Sequence, residues 1–118
     1  MNRNNLSSQF HVTHDKLGAG WHALTLSNMD SSHLARVSFE HYNDPHSEPS
    51  SRIDIDYLKS NVEGQGHAQR LMDHMYNRYP KSHIDWGLTI NPASTHIASK
   101  FEDKYYDRTS YQPEEGLD

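Results

Sequence analysis

The stretch Leu58-Lys59-Ser60-Asn61-Val62-Glu63-Gly64-Gln65-Gly66-His67-Ala68-Gln69-Arg70-Leu71-Met72 holds the residues of this 118-residue chain best suited to binding chemistry. A strand-like segment runs into a loop with two glycines, Gly64 and Gly66, and the loop opens directly into a helix. Glycines let backbone N–H groups crowd an anion, and the start of a helix adds about half a positive charge aimed at it. A phosphate-bearing ligand is what such a device serves. The plain alternative is a tight turn that happens to hold two glycines. Neither G-x-G-x-x-G nor G-x-x-x-x-G-K-[ST] is present, so the loop matches neither the dinucleotide fingerprint nor the P-loop.

Histidine is the other abundant chemical group, with ten in the chain. The spacings do not gather a metal set. His11 and His14 fall in a strand-like stretch an odd number of residues apart, so they point to opposite faces. His67 and His74 share a helix face but stand two turns apart, too far for one ion. There is no H-E-x-x-H, and the absence of cysteine removes thiolate ligands, disulfides and cysteine nucleophiles together. No metal site is expected.

These groups need a frame. Gln9–Thr13 alternates Phe10 and Val12 against His11 and Thr13, the period of a half-buried strand. Gly18-Ala19-Gly20 punctuates, Trp21–Ser27 follows as a second strand, and the turn Asn28–Ser32 leads to a third, Leu34–Tyr42. Asn43–Ser51 reads as an exposed loop. Arg52–Leu58 is a fourth strand, with Ile53, Ile55 and Tyr57 on one face and Asp54 and Asp56 on the other. The period then changes. Leu71, Met72, Met75 and Tyr79 form the apolar stripe of a helix over Gly66–Tyr79, which Pro80 stops. Ile84, Trp86, Leu88 and Ile90 alternate as a fifth strand. Asn91-Pro92 opens a second helix, Ala93 to Tyr106, with Ile97, Ala98, Phe101 and Tyr105 inward. A short strand, Thr109–Gln112, precedes an acidic tail, Glu114–Asp118, expected to be disordered. The order predicts an α+β (mixed α/β) fold in one domain spanning residues 1–118: a mostly antiparallel sheet of five to six strands with two helices.

Composition narrows the partners. Hydrophobic residues make up only 33% of the chain, so its seven tyrosines and two tryptophans must supply much of the buried area. A net charge of −5 gives no general basic footprint for nucleic acid. No apolar run approaches the ~20 residues of a membrane span, and the N-terminus lacks the apolar segment of a secretory signal. A cytoplasmic domain without a membrane or nucleic-acid partner is expected.

The glycine segment resembles the signature of the GNAT family of acetyl-CoA-dependent N-acyltransferases, a strand followed by [RQ]-x-x-G-x-[GA] and a helix. Gly66-x-Ala68 fills the G-x-[GA] part, Gly64 matches a frequent extra glycine, and Leu71-Met72 fall where the helix meets the sheet. Downstream, Ser94-x-x-Ile97-x-x-x-Phe101-x-x-x-Tyr105-Tyr106 is similar to the family's N-x-x-A-x-x-x-Y-x-x-x-G-F. The likeness covers about Ile53–Tyr106. It implies a GNAT-like fold, acetyl-CoA as acyl donor, and an amine acceptor on a protein or small molecule, with a homodimer admissible. The donor-binding set it implies is Glu63, Gly64, Gln65, Gly66, His67, Ala68, Arg70 and Ser94, with Leu58 acting through its backbone and Lys100 or Lys104 as further cations.

For the chemistry, Asp56 is the candidate general base, because it lies on the strand just before the loop; its plain alternative is an exposed carboxylate. Glu40 on the third strand is the second candidate. Tyr105, one turn after Phe101, is the candidate acid for the departing thiolate, and Tyr106 is the next option. The chain also departs from the family pattern. Glu63 stands where Arg or Gln is usual, Phe101 where many members carry tyrosine, and Ser94 where asparagine is common. The acceptor-side helices after the first strand are missing, since Gly18–Gly20 links two strands directly. A non-catalytic interaction or inhibitor protein of GNAT fold, with or without CoA binding, is the alternative reading.

Glu63 gives a test at the level of sequence. A carboxylate beside a pyrophosphate is unfavourable, so Glu63→Arg should tighten acetyl-CoA binding, and the gain should shrink as salt rises. Isothermal titration at low and high salt measures both.

Overall fold

The first four strands form an antiparallel meander because each is followed by a turn that the local sequence can make. In the computed structural model, which describes residues 9–61, 64–89 and 92–113, β1 (Phe10–Gly18) returns as β2 (Trp21–Asn28). The connection is Ala19 and Gly20, both at positive φ, 43° and 87°. Two left-handed residues twist the chain in the sense that the flanking strands require. Asn28 holds the next turn, its Oδ1 accepting the backbone N–H groups of Asp30 and Ser32 at 3.2 and 2.9 Å. β3 (His33–Asn43) and β4 (Ser51–Ser60) complete the meander.

Parallel pairing follows. α1 (His67–Arg78) carries the chain to β5 (His83–Thr89), and α2 (Pro92–Lys104) carries it to β6 (Thr109–Pro113) through a 3₁₀ turn, Tyr106–Arg108. β4, β5 and β6 run parallel, and the sheet order is β1-β2-β3-β4-β5-β6. α1 packs across β2, β3 and β4 while α2 packs across β5 and β6. The helices meet directly, with Tyr76 stacked on Phe101 at 5.0 Å and on Tyr105 at 4.4 Å. Both therefore cover the same face. On the opposite face no helix packs among the described residues; there the small side chains Ala23, Thr25 and Ser27 are buried beneath long neighbours such as Arg36, whose Nη1 donates to Thr25 Oγ1 at 2.9 Å.

One hydrogen-bond chain crosses the core. Trp86 Nε1–H donates to the Tyr76 hydroxyl at 3.0 Å, which lies 2.7 Å from Thr109 Oγ1, and Thr109 donates to the Phe101 carbonyl at 3.4 Å. With Thr109 committed as a donor, Tyr76 donates to it, and each of these four groups has a partner. Burial pushes the Tyr76 phenol above its ordinary pKa. Arg108 closes the end of α1 from outside: its guanidinium donates to the carbonyls of Tyr76, Tyr79 and Ser82 at 3.2, 2.7 and 3.2 Å. A cation at these last carbonyls also suits the negative end of the helix dipole.

The α+β sheet with two helices is the architecture read from the sequence. β1 runs further than expected, to Gly18. α2 ends at Lys104 and not at Tyr106, because Tyr105 leaves the helix at φ −133°. The acidic tail, residues 114–118, lies outside the described residues. No helix among those described is long and apolar enough to cross a membrane.

Tyr76→Phe keeps the ring stack and deletes the hydroxyl, leaving the buried indole N–H of Trp86 unpartnered. It should cost about 1–3 kcal/mol in urea denaturation, more than an exposed tyrosine such as Tyr106, where the same change should cost almost nothing.

Candidate functional site

β4 and β5 pair over a short distance and then part. Arg52–Asp54 pair with His83–Asp85, and there the ladder stops. Two local features end it. In β4, Ser38 pairs with Tyr57 while Phe39 pairs with Ile55, so Asp56 is an extra residue that bulges the strand. In β5, Gly87 adopts φ +69° and gives its N–H to Asp85 Oδ1 at 2.8 Å. That N–H is spent on a side chain. A β-carbon at Gly87 would lie 4.0 Å from the Ile55 carbonyl, so the strands still touch at the fork.

Beyond the fork lies a cavity of about 610 Å³. One wall is the end of β4, Tyr57 to Ser60; another is Gly64, Gly66 and the first turn of α1; the third is Ser94, His96, Ile97 and Lys100 on α2. Gly64 and Gly66 hold φ of +81° and +76°, and a β-carbon on either would meet nothing within 4 Å. The side of each glycine that a side chain would occupy thus faces open space. Gly66 caps α1 without any side-chain hydrogen bond, and the first turn carries no acidic residue. Among the described residues of that turn no carboxylate offsets the positive end of the helix dipole. Lys59 and Lys100 add two ammonium groups to the walls. The volume suits a small-molecule site, and the charge suits an anion.

Of the residues proposed from sequence, the structure brings Leu58, Gly64, Gly66, His67, Ala68, Ser94 and Lys100 together around this cavity. Gln65 stands exposed between the two glycines without lining it. Arg70 points elsewhere, its guanidinium 4.2 Å from the centre of the Phe10 ring. Glu63 lies outside the described residues.

The catalytic candidates are not gathered in the same way. Asp56 sits exposed in the bulge beside Tyr57, with Ser38 Oγ donating to its Oδ2 over a long 3.5 Å. Glu40 faces the open side of the sheet and accepts from the Tyr42 hydroxyl at 2.6 Å, which holds that phenol above its ordinary range. Tyr105 lies beyond the last turn of α2, stacked on Tyr76 and outside the cavity walls. Tyr106 is exposed and lies outside the cavity walls. Lys104 is held by Asp73 at 3.1 Å, and Asp73 raises its pKa. The bulge also overturns one facing: Tyr57 turns away from Ile53 and Ile55 to the open side, 47% exposed, and Leu58 takes its place against the core.

Sequence reasoning missed Lys59, Gln69 and His96 as cavity residues. Lys59 precedes the glycine loop by a few positions, and His96 stands one turn before Lys100. Those spacings were the available signal. Among the described residues, no three His, Asp or Glu side chains converge in a way that could hold a metal ion.

No family model matches the chain, and no curated protein matches it. Among solved structures, the chain is similar to a ribosomal-protein-alanine N-acetyltransferase from Brucella melitensis biovar Abortus 2308, at 18% sequence identity and a TM-score of 0.46. The match covers 55% of this chain and 47% of that one, so it spans about half the length of that structure.

The left-handed backbone at Gly66 can be tested without a ligand. Gly66→Ala should lower stability by roughly 1–2 kcal/mol through backbone strain alone, since the added methyl meets open space. Gly66→Asn, whose side chain tolerates that conformation, should cost clearly less in the same denaturation series.

Proposed function

We propose that this chain is a small GNAT-like N-acyltransferase that moves an acetyl group from acetyl-CoA to an amine. One observation carries the reading. Two parallel strands part over a loop with two left-handed glycines, at a helix start without a side-chain cap, and the cavity beside that loop is lined by Lys59 and Lys100. A pyrophosphate finds backbone donors and a favourable dipole in that place, and a slender acyl-bearing arm finds the gap between the strands.

Each residue then has a task. Gly64, Gly66, His67 and Ala68 offer backbone to the pyrophosphate, with Ser94 on the facing helix. Leu58, at the parting edge of β4, presents its backbone to the thioester carbonyl, whose oxygen gathers charge as the amine nitrogen attacks. Asp56, exposed beside the fork, takes the proton that the amine sheds as the C–N bond forms and the C–S bond breaks. Phe101 has no hydroxyl and Tyr105 is stacked elsewhere, so neither protonates the departing thiolate; solvent supplies its proton.

A second reading rests on Phe101. It is 4% exposed and packed against Tyr76 and Trp86 as a core residue. A chain that spends that position on packing suits a GNAT-fold interaction protein that retains CoA binding without turnover.

Acetyl-CoA at a hundred times its Kd should stabilise the purified protein by about 2.7 kcal/mol, read as a rise in melting temperature. Lys59→Glu and Lys100→Glu should each weaken binding, more at low salt than at high. Absence of a thermal shift and of heat on titration defeats both readings. A shift without release of free thiol across a panel of amines selects the second; release that falls in Asp56→Asn, with binding unchanged, selects the first.

A further inference from the structure

We propose that Arg78, His14 and His22 form a directional hydrogen-bond relay that fastens the outer strand β1 to the last turn of α1 while both imidazoles are neutral, so that acid releases β1. The relay lies at the opposite end of α1 from the cavity and does not depend on any reading of it.

The direction follows from donor chemistry. Arg78 Nη2 lies 2.8 Å from His14 Nδ1, and a guanidinium can only donate. His14 Nδ1 is therefore the bare, accepting nitrogen, and the proton of the neutral ring sits on Nε2. That Nε2 lies 2.9 Å from His22 Nδ1, so it donates, and His22 Nδ1 must also be bare. Both tautomers are fixed from one fixed donor. A proton added at His14 Nδ1 sets N–H against N–H and a cation against a guanidinium. A proton added at His22 Nδ1 does the same to the second link.

The surroundings give little relief to an added charge. His22 stacks on Phe39 at 5.5 Å and meets the edge of His41 at 6.3 Å. His41 in turn abuts Tyr79 at 5.1 Å, and its Nε2 lies 3.2 Å from Ser51 Oγ, which lies 2.6 Å from Ser82 Oγ. Every packed element contributes: Asp15 and Lys16 from β1, His22 from β2, His41 from β3, and His74 and Arg78 from α1. Asp15 is the one acid among them, and it also lies 3.8 Å from Arg36.

Burial first, and then the charges of Arg78 and Lys16, hold His14 and His22 below the ordinary histidine pKa of 6.5. Burial does the same for His41 and His74. The sign is then definite. The unfolded chain starts to bind more protons near pH 6.5, so the contribution of these rings is complete above that pH and is lost as pH falls from there through their lower folded-state pKa values.

Long-range proton–nitrogen NMR on the wild-type protein at about pH 7.5 should find Nδ1 bare and Nε2 protonated on both His14 and His22. Hydrogen exchange, corrected for intrinsic rate, should show segment Phe10–Gly18 opening about tenfold more readily at about pH 5.5 than at 7.5, with His33–Asn43 unchanged. Arg78→Leu, at an exposed position, should show the fast β1 exchange already at the higher pH. A proton on Nδ1 of either ring at pH about 7.5 overturns the relay. So does β1 protection that is unchanged as the rings titrate, or an acid-induced loss in Arg78→Leu equal to that of wild type.

Discussion

The Tyr76 hydroxyl is the point on which the rest of the structure depends. It joins α1 to β5 through Trp86 and to β6 through Thr109, while its ring carries the stack on Phe101 and Tyr105 that seats α2. In a chain that is only 33% hydrophobic, an aromatic with a satisfied hydroxyl does what several aliphatic residues would otherwise do. The network is buried and fully partnered, so it fixes one arrangement of two helices and two strands; a partly satisfied one would leave costly unpaired groups. Arg108 adds to the same joint by closing the carbonyl end of α1.

A joint closed at one end decides what happens at the other. β4 and β5 are zipped next to Ser51 and Ser82, whose hydroxyls meet at 2.6 Å, and the zip stops at Asp54 and Asp85. The bulge at Asp56 and the left-handed Gly87 interrupt the ladder there, and the cavity lies beyond them. Electrostatics follows the same division. The chain as a whole carries −5, yet the cavity is walled by lysines, histidines and an uncapped helix start. Net charge speaks to the surface as a whole; the local field at one fork can have the opposite sign.

Much of this frame was legible in the sequence, for reasons that are local. The period of two in Phe10–Thr13 and Ile84–Leu88, the helical stripe of Leu71, Met72 and Met75, and the glycines at 64 and 66 each encode their own conformation. Other features depend on pairing partners that a single segment does not reveal. The bulge at Asp56 exists because Ser38 and Phe39 pair with residues two apart in β4, and one inserted residue sends Tyr57 to the other face. Likewise, His11 and His14 read correctly as opposite-facing. That His14 meets His22 followed only from the hairpin register, which pairs His14 with Leu24 and Lys16 with His22.

The fate of Tyr105 shows how helix polarity constrains chemistry. Both helices leave the C-terminal ends of their strands, so both start at the cavity and finish at the opposite end. Ser94 lines the cavity, and Tyr105 follows eleven residues later, about 16 Å along an ideal helix axis. Spacing alone placed Tyr105 on the same stripe as Ile97 and Phe101, and all three do pack against the core. A shared stripe is not a shared site, however. Side chains on one face of a helix that starts at a cavity recede from it by 1.5 Å with every residue. Phe101 already packs under Trp86 and Tyr76, and the next residue on the stripe lies a further turn away. Any hydroxyl that serves the cavity must therefore come from the first turns of α2 or from the end of β4, where Ser94, Ser60 and Tyr57 stand.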